Sequence, residues 1–202
     1  MAQERPEPIE KLTLLPREFY QAPTGEVARA LLGKFLVFWD KEGAVGGEIV
    51  ECEAYLGEHD PGSHASIKKT PRNSIMFGPP GKAYVYFIYG KNFCLNAVAH
   101  DGGPGAVLIR ALRPLWGIGL MEKRRKCLQF GNLTAGPGKL CQALGITTDH
   151  NGWDLLDSQL QILGGEKKIK SGEIIATPRI GLSKGQELPL RFVLRGNPII
   201  RK

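Results

Sequence analysis

Residues 84–99 read YVYFIYGKNFCLNAVA, and they give the clearest indication of the fold. Aromatic and β-branched residues dominate 84–89, a polar break follows at 90–92, and a second, largely apolar run covers 93–99. Aromatic and β-branched residues favour strands, and a short break containing glycine favours a tight connection. The stretch therefore predicts a β-hairpin, with Tyr89 at its tip.

Further strands are predicted on either side of this hairpin, because apolar runs of similar length are bounded by turn residues. The predicted strands cover 34–39, 46–55 and 106–112, the predicted helices cover 25–32 (with Thr24 as N-cap), 115–129 and 138–144, and a long loop covers 56–81. Strands that follow one another without an intervening helix indicate an antiparallel sheet. The expected fold class is α+β, a mixed α/β single domain with an antiparallel sheet core and a protruding β-hairpin.

The composition is that of an ordinary globular domain. The chain has 202 residues, of which 42% are hydrophobic and 23% are charged. Residues 1–12 are polar and charged, so we expect a flexible N-terminal arm, followed by one domain over 13–202. No stretch approaches the ~18 consecutive apolar residues that a membrane helix needs. We therefore expect no membrane partner.

The charge balance favours polyanionic partners. Lys and Arg total 27 against 20 Asp and Glu, which gives a net charge of +7. Such a balance is compatible with nucleic-acid binding, although many basic proteins bind none. The four cysteines include no C-x-x-C pair, which disfavours a zinc site and indicates four free thiols. They are Cys52, Cys94, Cys127 and Cys141.

A carboxylate lies next to an aromatic residue in the predicted strand 46–55. Side chains alternate along a strand, so Glu51, Glu53 and Tyr55 point to one face. A flat ring can hold a flat ligand, and a neighbouring carboxylate can act as a base. The simpler alternative is a strand with one solvated face.

The loop over 56–81 carries His59, Asp60 and His64. Together with Glu53 these residues could suggest a metal site. Their spacing matches no strong metal template, and ordinary loop polarity explains them equally well. We expect no metal.

Three further residues have possible functional roles. Arg110 interrupts an apolar strand, and a buried arginine needs a carboxylate partner, for which Glu53 is the candidate. Tyr89 at a hairpin tip has little core to pack against, and such an aromatic residue can wedge between stacked bases. Lys139 follows Gly-Pro-Gly at a predicted helix start, where free backbone N–H groups can contact phosphate, although a simple helix N-terminus is equally common.

Several stretches together, in this order, resemble the alkyladenine (3-methyladenine) DNA glycosylase family. The matching stretches are 31–34 (LLGK), 51–57 (ECEAYLG), 63–64 (SH), 70–73 (TPRN), 76–77 (MF), 84–90 (YVYFIYG), 93–96 (FCLN), 107–112 (VLIRAL), 136–144 (GPGKLCQAL) and 178–181 (PRIG). A match in so many segments is far more specific than any single motif above. The resemblance covers the chain from about residue 13 nearly to its end.

The resemblance implies a monofunctional glycosylase of base excision repair. Such an enzyme flips an alkylated or deaminated purine out of double-stranded DNA and hydrolyses its bond to the sugar. Expected substrates are 3-methyladenine, 7-methylguanine, hypoxanthine and ethenoadenine. No cofactor and no lyase activity are implied, and we expect a monomeric, cytoplasmic, nucleoid-associated bacterial enzyme.

The resemblance also implies roles for individual residues. Glu53 matches the general base that activates a water, and Arg110 and His64 match residues that hold this water and the carboxylate. The residues expected to contact the flipped base are Tyr55, His64, Tyr86, Asn96 and Leu108. The residues expected to contact DNA are Tyr89, which would insert into the minor groove, and Gly90, Lys91, Arg72 and Lys139.

Two other function classes stay open from the residues alone. One is a metal-dependent nuclease that uses Glu51, Glu53, Asp60 and His64. The other is a non-catalytic module that recognises distorted DNA through a basic surface and an aromatic wedge. Chelation separates the nuclease from the glycosylase, because only the nuclease needs a metal.

Overall fold

A computed structural model describes residues 8–88, 90, 92–166 and 168–199. Four helices flank the strands: α1 (Arg17–Tyr20), α2 (Thr24–Leu31), α3 (Ile118–Arg125) and α4 (Pro137–Leu144). The strands are β1 (Thr13–Leu14), β2 (Phe35–Asp40), β3 (Gly43–Tyr55), β4 (Ala83–Ile88), β5 (Asn92–Val98), β6 (Ala106–Trp116), β7 (Leu160–Gly164), β8 (Ile174–Thr177) and β9 (Arg191–Leu194). No helix among the described residues is long and apolar enough to cross a membrane.

The strands form one antiparallel sheet, which confirms the predicted α+β class. Its main path runs β1-β7-β2-β3-β6-β5-β4, and β9 pairs with both β3 and β8. Strand β3 has 13 residues and is the longest, and its second half pairs with β6 on one side and β9 on the other. The centre of the sheet is therefore the part of β3 that carries the candidate carboxylates.

The predicted hairpin is present as β4 and β5, in a register that pairs Tyr84 with Asn96 and Ile88 with Asn92. Gly90 lies in the connection with φ of 63°, a left-handed conformation that favours glycine. Tyr89 and Lys91 lie outside the described residues, so the insertion of this hairpin into DNA stays a prediction.

The two faces of the central strands have different surroundings. One face packs into the main core together with α2 and α4, through residues such as Cys52, Ala54, Leu95, Val107 and Ile109. The alternate residues of the same strands point to the opposite face, as strand geometry requires. That second face carries the polar candidates, and residues of the long loop such as Ala65 and Met76 pack against it.

The loop between β3 and β4 contains only two short 3-10 helices, Gly57–His59 and Ser74–Phe77. The buried Asn73 fixes its middle, because its side chain donates to the carbonyls of His64 (2.7 Å) and Lys68 (2.9 Å) and accepts from the Thr70 N–H. The predicted loop is thus an ordered cover over the polar face.

Some local predictions were wrong. Thr24 does not cap α2: Pro23 occupies that position, and the Thr24 hydroxyl instead donates to the buried carbonyl of Ala99 at 2.8 Å. The helix predicted over 115–129 is shorter at both ends. Its first residues continue β6 along β3, and Lys126 ends it in a left-handed conformation. Strand β1 and helix α1 were not predicted.

Replacing Leu95 with Ala tests the core. Leu95 is fully buried in the main cluster, so its truncation should lower the free energy of unfolding by about 2–5 kcal/mol. Urea denaturation followed by circular dichroism measures the change. Leu128→Ala is the matched control: this leucine is 83% exposed, and its truncation should change the free energy by no more than about 0.5 kcal/mol.

Candidate active site

One row of side chains crosses four strands on the polar face. Glu53 of β3 pairs with Leu108 of β6, Leu108 pairs with Asn96 of β5, and Asn96 pairs with Tyr84 of β4. Directly paired residues lie on the same side of a sheet, about 4.5–5.5 Å apart at Cβ. The register thus brings together residues that lie up to 55 positions apart in the chain, since Glu53 and Leu108 are neighbours.

Glu53 is fully buried and accepts bonds at both carboxylate oxygens. The Ile180 N–H donates to its Oε1 at 2.8 Å, and the Tyr55 hydroxyl donates to its Oε2 at 2.9 Å. Arg110 Nη1 lies 3.2 Å from the same Oε2, which is the contact expected from the sequence. Burial and the Glu53 carboxylate raise the pKa of Tyr55, so its phenol stays protonated and acts as a donor.

Arg110 is shared between two carboxylates. Its Nε donates to Glu51 Oε1 at 2.9 Å while its Nη1 contacts Glu53, and Arg191 Nε donates to the same Glu51 oxygen at 2.6 Å. Burial opposes the cation, but Glu53 and then Glu51 outweigh it and raise the pKa of Arg110. The guanidinium is therefore a fixed positive charge beside Glu53.

A narrow pocket opens beside this network, and most of its walls are aromatic or apolar. Its lining residues are Tyr55, Gly62, His64, Met76, Tyr84, Tyr86, Asn96, Ala106 and Leu182. Four of the five residues expected to contact a base line it; Leu108 is buried beside Asn96 but is not part of the lining. Glu53 contacts one pocket wall through the Tyr55 hydroxyl.

His64 stands among aromatic rings at this pocket. Its ring lies edge-on to Tyr86, with 4.7 Å between centroids, and its Nδ1 is 3.0 Å from the Tyr84 hydroxyl. Burial, and secondly the Arg72 guanidinium, lower the pKa of His64. Burial raises the pKa of Tyr84 to about 12. The imidazole is therefore neutral at pH 7, and the phenol is protonated.

Of the residues expected to contact DNA, Arg72, Gly90 and Lys139 belong to the described part of the chain. The Arg72 guanidinium lies over the Tyr86 ring, 5.1 Å from its centroid. Lys139 lies in the first turn of α4 and contacts Asn132. The start of α4 adjoins the tip end of the hairpin, because a Cβ on Gly138 would come within 2.9 Å of the side chain of Asn92, the first residue of β5. Gly90 is exposed, and Tyr89 and Lys91 lie outside the described residues.

A buried ion pair near Glu53 was missed by reasoning from the sequence. Arg179 and Asp60 are both completely buried at their side chains and form two hydrogen bonds, with Nη2 to Oδ1 at 2.6 Å and Nη1 to Oδ2 at 2.5 Å. The guanidinium also lies 4.7 Å from the centroid of the Tyr55 ring. The sequence suggests Asp60 only as a metal ligand, and the matching stretch 178–181 is the signal that points to Arg179.

The acidic residues considered for a metal site are each matched by arginine. Asp60 pairs with Arg179, and Arg110 lies between Glu51 and Glu53. Within the described part of the chain, no three His, Cys, Asp or Glu side chains are grouped as metal ligands would be. All four cysteines are free thiols, as predicted.

The fold and site together give an antiparallel sheet that holds a buried, arginine-paired glutamate beside a pocket with mostly aromatic and apolar walls. Residues 18–198 match the model of the methylpurine-DNA glycosylase family. Proteins named provisionally as 3-methyladenine DNA glycosylases are similar over almost the whole chain. A protein of Koribacter versatilis is 41% identical (95% of this chain and 95% of its own), one of Prosthecochloris aestuarii 48% (92% and 90%), and one of Methanoculleus marisnigri 46% (93% and 98%).

The chain therefore belongs to the methylpurine-DNA glycosylase family. It is a DNA repair enzyme that hydrolyses N-glycosyl bonds in DNA. The resemblance drawn from its sequence motifs is confirmed.

The protonation of His64 can be tested by titration. We expect nitrogen-detected NMR to show that this imidazole titrates below its ordinary value of 6.5. Arg72→Met should raise the pKa of His64, because it removes a neighbouring positive charge, whereas Arg72→Lys should leave it nearly unchanged. An unaltered titration in Arg72→Met would show that the guanidinium does not act on His64.

Proposed function

We propose that this enzyme releases alkylated and deaminated purines from duplex DNA, with Glu53 as the general base. The observation that carries the proposal is the surroundings of Glu53: a buried carboxylate that contacts Arg110 and lies next to an aromatic pocket. The names of the relatives support 3-methyladenine as one substrate. The family resemblance adds 7-methylguanine, hypoxanthine and ethenoadenine.

In the proposed reaction, Glu53 takes a proton from a water while that water attacks the anomeric carbon of the sugar. The glycosidic bond breaks, and its electron pair leaves with the base. A cationic alkylated base is already a good leaving group, so a positioned water and one carboxylate suffice. Oε1 carries a single N–H bond from Ile180, and it has a lone pair left to accept this proton. The reaction requires that water reach Oε1 when DNA is bound.

The pocket walls suit a flat, electron-poor base. We propose that Tyr55, His64 and Tyr86 stack on it, because the negative face of an aromatic ring attracts positive charge. The low pKa of His64 supports this role, since a neutral imidazole does not repel a cationic purine. Asn96 is held by its bond to the Tyr84 carbonyl (2.9 Å), and we propose that it disfavours the 2-amino group of normal guanine.

The hairpin and the residues around it form the proposed DNA-binding surface. We propose that Tyr89 enters the minor groove and takes the place of the flipped nucleotide, while Gly90 and Lys91 at the tip, Arg72 and Lys139 contact the backbone. The net charge of +7 supports binding to DNA. We further propose that the enzyme acts as a monomer, close to the nucleoid.

Glu53→Gln tests the general base. The substitution keeps the shape and removes the base, so single-turnover release of free purine should fall by about 10²–10⁴-fold, while binding to an abasic-site duplex is retained. Chromatography of methylated and hypoxanthine-containing duplexes in EDTA measures the release. The exposed Glu58→Gln is the matched control and should behave as wild type.

Three outcomes would contradict the proposal. Near-normal release by Glu53→Gln would show that another group activates the water. Absence of release by folded wild-type protein, with binding retained, would favour a non-catalytic module. Strand cleavage that stops in EDTA would favour a metal-dependent nuclease.

Tyr89→Ala tests the wedge. Loss of one stacked ring should weaken binding to a damaged duplex by about 1–3 kcal/mol, which fluorescence anisotropy detects. Binding to undamaged duplex should change less, because no nucleotide leaves its stack there. Equal losses for both duplexes, or none, would remove Tyr89 from the wedge role.

A further inference from the structure

The segment after β8 is tied to the end of β3 by one side chain. Arg179 Nη1 donates to the carbonyl of Ala54 at 2.8 Å, and its Nη2 donates to the carbonyl of Gly185 at 3.2 Å. The same two guanidinium nitrogens also donate to the carboxylate of Asp60. Arg179 therefore connects β3, the start of the long loop and the segment 178–185, which are far apart in sequence.

Asp60 completes the connection from the other side. Besides Arg179, its carboxylate accepts from the Leu56 N–H at 3.1 Å and from the Gly62 N–H at 2.9 Å. Gly62 lines the pocket, and a Cβ there would come within 2.8 Å of the Arg179 guanidinium. The ion pair thus sets where this wall of the pocket lies.

The neighbours of Arg179 are the groups that hold Glu53. Ile180, the next residue, donates its N–H to Glu53 Oε1, and Tyr55, whose ring lies under the guanidinium, donates to Oε2. Leu182, two residues further on, lines the pocket. One arginine therefore restrains two of the three donors to the proposed base.

The energetics favour a role beyond stability. A fully buried ion pair loses the hydration of two charges, so its net contribution to stability is often small. What such a pair does provide is geometry, because a bidentate arginine–carboxylate contact fixes distance and orientation together. A group that activates water must be held within a fraction of an ångström to be effective.

We propose that Arg179, fixed by Asp60, is a positioning residue that aims Glu53 at the attacking water and sets the Tyr55 wall of the pocket. Arg179 does not itself contact the reacting atoms in this role. The inference rests on the proposed function, since it concerns the base of that reaction.

Arg179→Met is the principal test. It removes the charge and the fork of hydrogen bonds while keeping an unbranched chain. The single-turnover rate of purine release is normalised to the number of active sites, which is measured by titration with abasic-site duplex. This rate should fall by about 10- to 100-fold, because that is the range expected for losing hydrogen bonds to a charged group. The affinity for that duplex should change by less than about threefold, since the DNA-binding surface is untouched.

The pH–rate profile supplies a readout that a merely structural role would not move. The charged groups around Glu53 are Arg110, Glu51 and, behind Tyr55, Arg179. The other titratable neighbours are the Tyr55 phenol and the thiols of Cys52 and Cys94, and burial raises the pKa of all three. Loss of the Arg179 charge and of the fixed Ile180 N–H makes the carboxylate form less favourable. The acidic limb of the profile should therefore move to higher pH in Arg179→Met, and Arg179→Lys should restore part of the shift.

A matched control separates positioning from general loss of an ion pair. Arg17 also joins two segments, through Asp154 (2.8 Å) and the carbonyl of Pro80 (2.6 Å), and neither partner lines the pocket. Arg17→Met should leave the rate and the acidic limb unchanged. Should Arg179→Met fail to fold, the double variant Asp60→Asn with Arg179→Met leaves no unpaired charge buried and should show the same two effects.

The outcomes distinguish this inference from the proposed function. Suppose that wild-type protein releases the purine, and that Arg179→Met (or the double variant) has the same rate and the same acidic limb as wild type. The positioning role is then wrong, while the glycosylase reaction stands. If wild-type protein releases no base from any duplex, the proposed function itself fails. A slower rate with an unmoved acidic limb also overturns the positioning role, because general destabilisation explains it.

Discussion

The arrangement of the site depends on the antiparallel register of β3, β6, β5 and β4. Because side chains alternate along each strand, the register that places Ala54, Val107 and Ala97 in the core places Glu53, Leu108 and Asn96 on the other face. Slipping one strand by a single residue would exchange the two sets. The hydrophobic core therefore determines the positions of the catalytic candidates, even though none of them belongs to the main core.

A polar face buried under a loop needs its charges to be compensated. Glu51, Glu53 and Asp60 are each within hydrogen-bonding distance of at least one arginine, and the three arginines come from β6, β9 and the segment after β8. An isolated buried carboxylate would take up a proton instead and could not act as a base. The arginines thus compensate carboxylates that the fold buries on this face, and Glu53 contacts one of them, Arg110.

Much of this could be predicted from the sequence, and the reasons for success and failure are physical. The hairpin, the strand with Glu53 and the loop were predictable because period-two patterns and turn residues are local signals. The Arg110–Glu53 contact followed from one rule, that a buried arginine needs an anion. The predicted N-cap at Thr24 was wrong because its hydroxyl donates to the carbonyl of Ala99, 75 residues away. The helix predicted over 115–129 begins later because the residues before it pair with β3.

The burial of Arg179 could not be predicted from the residues near it in sequence. Nothing near it in sequence indicates burial: Lys184 follows within a few positions, and its own partner, Asp60, is 119 residues away. Its contacts with Ala54 and Asp60 form only when β9 returns alongside β3 and carries the preceding segment past the end of that strand. Local sequence patterns predict the strands, but the environment of Glu53 is completed by segments that only the assembled sheet brings together. The same assembly explains why Glu53 receives its N–H donor from Ile180, 127 residues further along the chain.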